Sequence, residues 1–143
     1  MYVTELLASK GHDVATISKE RSVADAVAIL KEHAIGALVV TGANAPLVGV
    51  ISERDVVRAL AIHADQALTL RVSDLMTADV TTCGLSTTVT ELMGLMTAQR
   101  VRHIPVVDES QLVGMVSIGD VVKARLQELE HDKQELLEYV QAR

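Results

Sequence analysis

The sequence predicts an α+β chain made of two β-α-β-β-α units packed as a pseudo-symmetric pair, and three observations predict it. Leu47–Val57 recurs 65 residues later as Leu112–Val122, with the Leu, Val, Gly, Ser, Asp and both closing valines identical. Upstream blocks recur in the same order: Ser22–Asp25 matches Thr88–Glu91, and Ile35–Val40 matches Arg102–Val107. Each copy also alternates short β-branched runs with segments of helical apolar spacing. Self-similarity on this scale marks a repeated supersecondary unit.

The elements follow in order. Residues 1–13 read as a leading helix carrying Val3, Leu6 and Leu7 and ended by Gly11. The first repeat, residues 14–60, opens with a strand over Val14–Ile17. A helix follows with Val23, Ala26, Val27 and Leu30 on one face. Next come a strand over Ala37–Val40, a turn through Ala43-Asn44-Ala45-Pro46, a strand over Leu47–Ile51 and a helix starting near Asp55. Residues 61–79 are a linker with a helical turn in Val72–Thr77. The second repeat, residues 80–126, repeats the order: a strand over Val80–Thr82, a helix with Val89, Leu92, Met93 and Met96, strands over Ile104–Val107 and Leu112–Val116, and a helix from near Asp120. That helix overruns its partner as an extension, residues 127–143. Leu126, Leu129, Leu136 and Val140 fall at spacings of three, four and seven, and Lys133 sits where another apolar residue would complete a heptad seam. This face either lies on its own domain or pairs with a second chain. A unit of about 50 residues with helices on one sheet face cannot bury that sheet well alone, so the copies are expected to pack together.

Composition excludes several functions. The chain has 143 residues, 49% of them hydrophobic, which is enough for a packed interior. Its net charge of −6 argues against a broad nucleic-acid footprint. Tyr2 and Tyr139 are the only aromatics, so stacking of single-stranded bases is not expected. The lone Cys83 can form no intrachain disulfide and reads as a small buried thiol at a strand end. The five histidines are dispersed, and no zinc pattern, P-loop, GxGxxG after a strand, nucleophile elbow or HExxH is present. No secretory signal or membrane span is evident, so a cytoplasmic protein and no enzyme are expected.

The chemistry must then lie in the repeated strand–Ser-x-x-Asp–helix turn. A carboxylate accepts two hydrogen bonds from the adjacent hydroxyls of a ribose, and charged acceptors make the stronger bonds. A hydroxyl and free backbone N–H groups at a helix start suit a phosphate. Ser-x-x-Asp is also a capping box, as Ser22…Asp25 and Thr88…Glu91 read to be, so Asp55 and Asp120 cap a helix, clasp a sugar, or do both. Arg54, Arg58, Arg100, Arg102 and His103 gather cations near helix and strand starts, where an anion is accommodated or the side chains are merely solvated.

Two copies of β-α-β-β-α, each closing on Gly-apolar-apolar-Ser-x-x-Asp, resemble a tandem pair of CBS domains (a Bateman module) of the small stand-alone type. Arg102-His103-Ile104-Pro105-Val106-Val107-Asp108 resembles the family's second-strand signature, and the match covers about residues 10–125. The resemblance implies a sensor with two pseudo-symmetric sites in the cleft between the repeats, binding AMP, ADP, ATP, NAD(H) or S-adenosylmethionine. The first site would use Asp55 on the ribose and Ser52 and Arg54 toward phosphate, with Thr77, Val80, Arg102 and Ile104 from the other copy. The second would use Asp120 on the ribose and Ser117 near it, with Ala15, Ile35, Ala37 and Met115 around the base. His103 would reach phosphate from either side. Gly119 replaces a phosphate ligand in the second motif, Lys10 stands where the family often has Thr, and Gly36 replaces the basic residue of the second copy. The Asp55 site therefore ranks first for a phosphorylated ligand.

The expected function is a non-catalytic regulatory sensor whose ligand stabilises one conformation for an unidentified downstream protein to read. The alternative is a ligand-free structural or interaction module acting through dimerisation. No cofactor is required for either. A homodimer is expected, since family modules pair through their helices and apolar positions near Val56, Val57, Leu60, Val121 and Val122 suit such a contact.

Overall fold

The computed structural model describes residues 1–142, which divide into two compact units: Asp13–Val80, and Met1–His12 together with the chain from Thr81 onward. In chain order the elements are α1 (Val3–Lys10), β1 (Thr16–Ser18), α2 (Val23–His33), β2 (Ala37–Thr41), β3 (Gly49–Ser52) and α3 (Glu53–His63). A 3₁₀ turn (Ala64–Thr69) leads to α4 (Val72–Leu75), α5 (Val89–Gln99), β4 (His103–Asp108), β5 (Gln111–Ser117) and α6 (Ile118–Gln141).

In the Asp13–Val80 unit, β2 lies between parallel β1 and antiparallel β3. β2 is the unbroken apolar run Ala37-Leu38-Val39-Val40, and because successive side chains point to opposite faces, the burial of all four shows that both faces of the strand are covered. Ile17, Ala26, Leu30, Leu38, Val40, Ile51 and Val72 form its core. Burying each of the larger side chains contributes about 1.5–3 kcal/mol.

The other unit builds its core from Leu6, Leu7, Leu92, Ile104, Val106, Val116 and Val121, among others. Here β4 pairs with β5, and the expected opening strand over Val80–Thr82 does not form. It is reduced to one parallel bridge between Cys83 and Val106. Pro105 explains the loss. The strand registers equate Leu38 with Ile104 and Val39 with Pro105. The Val39 N–H donates to the Ala15 carbonyl, and proline has no N–H to offer in the same place. That register also corrects the sequence match by one residue: Ala37 aligns with His103, each opposite an N-cap serine.

The leading helix and the Val72–Thr77 turn, expected to lie outside the repeats, fall within the two compact units. Residues 72–76 (Val-Ser-Asp-Leu-Met) resemble residues 3–7 (Val-Thr-Glu-Leu-Leu), and the two helices are tied down alike. Val72 N–H donates to the Arg21 carbonyl and Val23 N–H to Leu70, beside the N-cap of α2. Val3 N–H donates to Thr87 and Val89 N–H to Met1, beside the N-cap of α5. So α4 packs on the unit that precedes it in sequence, while the leading helix α1 serves the later repeat.

This packing accounts for the repeated glycine of Leu-Val-Gly. A Cβ on Gly49 would stand 2.6 Å from Met76 Sδ and 3.0 Å from the Thr77 carbonyl oxygen. One on Gly114 would stand 2.8 Å from Leu7 Cδ2. In both units the companion helix presses on the strand where only hydrogen fits.

Candidate functional site

In each unit a strand feeds directly into a helix through Ser-x-x-Asp. β3 ends at Ser52, the N-cap of α3, and β5 ends at Ser117, the N-cap of α6. Both serines are extended, with φ −116° and −96°, so the side chain turns back over the first helical turn.

At the first turn, Ser52 Oγ accepts from Asp55 N–H (3.3 Å). Asp55 Oδ2 accepts from Ser52 N–H (2.8 Å) and from Ser52 Oγ (3.1 Å). The capping box is therefore real, yet it uses one carboxylate oxygen. Among the described residues no donor engages Asp55 Oδ1, and the side chain is only partly buried. The sequence left capping and sugar binding open, and this geometry permits both.

Neighbouring backbone fixes the turn. Ala37 pairs with Ser52 across the sheet, and Glu53 N–H donates to the Gly36 carbonyl. Thr77 pairs with Val50 through two bonds of 3.0 and 2.9 Å, which places an exposed hydroxyl residue beside β3. Val80 and Ala15 are half-buried, and Arg54 is exposed on the first turn of α3. Ile35 packs on the core edge. Ser22 caps α2 through Asp25 N–H, but Asp25 turns its carboxylate to Arg21 Nε at 2.8 Å, so that box is not reciprocal. Thr88 and Glu91 form the full box.

The second turn repeats the cap and then differs. Asp120 Oδ2 accepts from Ser117 N–H (2.8 Å), and Ser117 Oγ accepts from Asp120 N–H (3.2 Å). The same Oδ2 also accepts from Lys10 Nζ, which reaches from the end of α1 and donates as well to the Met115 carbonyl. Burial pushes the Asp120 carboxyl up, but the Lys10 ammonium and the Ser117 donors outweigh it and hold the group below the usual carboxylate range. Lys10 entered the sequence reading as a departure from a family pattern. It is a direct partner of the repeated aspartate.

Arg102 is exposed, and its carbonyl accepts from Ile118 N–H, as Gly36 does for Glu53. His103 pairs with Ser117 across β4–β5 and is half-buried. Met115 is buried at 9% exposure. Ile104 is fully enclosed in the core of its unit, so its side chain packs that core and only its backbone is left to meet a ligand. The structure thus gathers Ser52, Asp55, Ala37 and Thr77 around one turn, and Ser117, Asp120, Met115, His103 and Arg102 around the other. Among the described residues no cluster of His, Cys, Asp and Glu suits a metal ion, and no helix is long and apolar enough to cross a membrane. Cys83 is 7% exposed, and burial pushes its thiol up to about 11, which leaves no reactive thiolate at neutral pH.

Comparison with known proteins agrees with this architecture. The family model described as CBS domain matches residues 3–62 and 72–127, and the matched segments include α1 and α4. The "CBS domain-containing protein CBSX3, mitochondrial" of Arabidopsis thaliana is 36% identical over 97% of this chain and 71% of its own length. The crystal structure of the CBS-domain containing protein ATU1752 from Agrobacterium tumefaciens superposes with a TM-score of 0.84 at 44% identity. That match covers 87% of this chain and 92% of that one. The CBS domain pair of protein MJ0100, solved in complex with 5-methylthioadenosine and S-adenosyl-L-methionine, superposes with a TM-score of 0.78 at 26% identity. It covers 90% of this chain and 98% of that one. The repeated fold, the glycine pinned under a companion helix and the Ser-x-x-Asp turn in each unit are those of a protein that belongs to the CBS-domain family and carries two copies of the domain.

Proposed function

We propose that this chain is a non-catalytic sensor of adenosine-containing ligands, each repeat contributing its strand-to-helix turn to ligand recognition. One observation carries the reading. In both turns the capping box occupies a single carboxylate oxygen and leaves Oδ1 of Asp55 and of Asp120 without a donor among the described residues. A carboxylate with a free oxygen at the start of a helix suits the vicinal hydroxyls of a ribose, and the helix N–H groups suit an attached phosphate. The adenosine ligands of MJ0100 support the ligand class.

The Asp55 turn is the better candidate for AMP, ADP, ATP or NAD(H). Among the described residues its aspartate carries no counter-ion, and Ser52, Arg54 and Thr77 lie on or beside it. Asp120 Oδ2 is already matched by Lys10, so a sugar at its open Oδ1 meets a carboxylate whose charge is partly neutralised. Chemistry on the ligand is not part of this reading: the Ser52 and Ser117 hydroxyls at the turns are engaged in helix caps. A homodimer in the cytoplasm, signalling to a separate protein, completes the proposal.

Isothermal titration and thermal shift with AMP, ATP, NADH and S-adenosylmethionine test it. A ligand at 100 times its dissociation constant stabilises the fold by about 2.7 kcal/mol. Mass spectrometry of small molecules that copurify identifies what the cell supplies. Absence of any shift, with no copurifying nucleotide, would leave the ligand-free interaction module as the reading that stands.

A further inference from the structure

We infer that the C-terminal half of α6 pairs in parallel with the same segment of a second copy of this chain, as a short two-stranded coiled coil. The inward face of α6 is used up early. Val121 and Ala124 are buried, Arg125 and Glu128 half-buried, and every residue from Leu129 to Gln141 is exposed. A helical segment of this length has little stability in water without a packing partner.

The outward face carries the partner's signature. Val122, Leu126, Leu129, Leu136 and Val140 are between 48% and 65% exposed. With Lys133 their spacing is 4, 3, 4, 3, 4, the a/d repeat of a heptad, flanked by exposed Ile118 and Tyr139 at g and Leu137 at e. At 3.6 residues per turn this seam sits roughly 130° around the helix from the direction of Val121 and Ala124, so pairing would leave the core contacts in place. It runs about 27 Å along the axis.

Charge selects the orientation. With Leu126 at a and Leu129 at d, a parallel in-register mate sets Arg125 at g against Glu130 at e of the second copy, and Lys133 at a beside its Asp132 at g. The remaining g–e pairs, Ile118 with Lys123 and Asp132 with Leu137, contain no like charges. An antiparallel mate centred on the seam sets Glu130 against Glu130 and Asp132 against Asp132. Self-complementarity of this kind is what a two-fold interface requires. A single lysine at an a position lowers stability and fixes register and strand number. The inference deepens the dimer expectation above and is independent of any ligand.

Leu129→Cys and Val140→Cys, made separately in the full chain and mildly oxidised at micromolar concentration, test it without ligand. Parallel pairing brings like residues together, so both variants give disulfide-linked dimers on non-reducing gels. The buried Cys83 keeps the wild-type background low. In sedimentation equilibrium, Leu136→Lys should weaken the dimer at least tenfold and Lys133→Leu should tighten it. Leu136 is 65% exposed, so the unfolding midpoint of the monomer should not move. Crosslinking of only one variant, or of neither, or a dimer indifferent to Leu136→Lys, would overturn the assignment. Nucleotide titrations can fail without touching this result, and the reverse also holds.

Discussion

Asp55→Asn separates the two roles that share one carboxylate. Asp55 Oδ2 accepts from Ser52 N–H at 2.8 Å, and an asparagine carbonyl oxygen in the same place can still accept that bond. The cap should survive, and stability should fall by less than about 1 kcal/mol. The open side changes character: Oδ1, an ionised acceptor, is replaced by an amide NH₂ that donates. Two sugar hydroxyls that bond to a carboxylate make charged hydrogen bonds worth about 1.5–3 kcal/mol each, against about 0.5–1.5 for neutral ones. The difference over two bonds is about 2–3 kcal/mol, or roughly 30- to 150-fold in dissociation constant. Calorimetric titration of wild type and variant with AMP or NADH reads that change, and urea unfolding reads the cap. If Asp55→Asn binds within twofold of wild type, the carboxylate does not hold the sugar and the sensor reading fails at its main point. If the variant instead loses more than about 2 kcal/mol of stability, Asp55 is a structural cap first.

Three further outcomes follow from the geometry. Lys10→Met should cost about 1 kcal/mol near pH 7, since it removes a partly buried ion pair and a bond to the Met115 carbonyl. Asp120 is held below its usual 3.8, so its contribution is present above that pH and is lost as pH falls through the folded value. The stability gap between wild type and Lys10→Met, followed by urea melts from pH 7 to 3, should therefore hold above about pH 5 and shrink below 4. Gly114→Ala should destabilise by about 1–3 kcal/mol, because Leu7 is fully buried and its methyls stand 2.8–2.9 Å from the new carbon. Gly49→Ala should cost at least as much, since the Thr77 carbonyl it meets is held by Val50 N–H; equilibrium unfolding ranks the two. Cys83 should react with an aromatic disulfide reagent at pH 8 only on unfolding, and rapid labelling of the native protein would contradict its burial.

The repeated turn was legible because its parts are local. Serine at an N-cap and aspartate three residues later can close a capping box within one helical turn, and Ser52 and Ser117 both do so. The continuous apolar runs of β2 and β4 likewise announce buried strands. What escaped depends on which segment packs where. Pro105 shortens the second sheet through a missing N–H in a strand register that the block alignment had one residue out. The companion helices carried a readable signal, Val-Thr-Glu-Leu-Leu against Val-Ser-Asp-Leu-Met, but their order relative to the repeats hides it: one precedes the unit it completes and the other follows. Lys10 was visible as a residue out of pattern, while its bond to Asp120 spans 110 positions and is set only by the docking of α1.

That docking gives the two turns different chemistry despite an identical Ser-x-x-Asp. The residue at the place of Lys10 after Val72-Ser73-Asp74-Leu75-Met76 is Asp79, which lies beyond the end of α4, so the duplicated segments carry opposite charges at that position. One repeat closes its own aspartate with an ammonium, and the other leaves its aspartate to be matched from outside. A ligand at Asp120 finds Oδ1 open but the carboxylate's charge already matched by Lys10 at Oδ2, which weakens its hold on hydroxyls unless the ligand brings an anion for Lys10. Among the described residues a ligand at Asp55 meets no such counter-ion. If that asymmetry governs binding, the first repeat responds at lower nucleotide concentrations than the second, and the chain has two thresholds for one class of ligand.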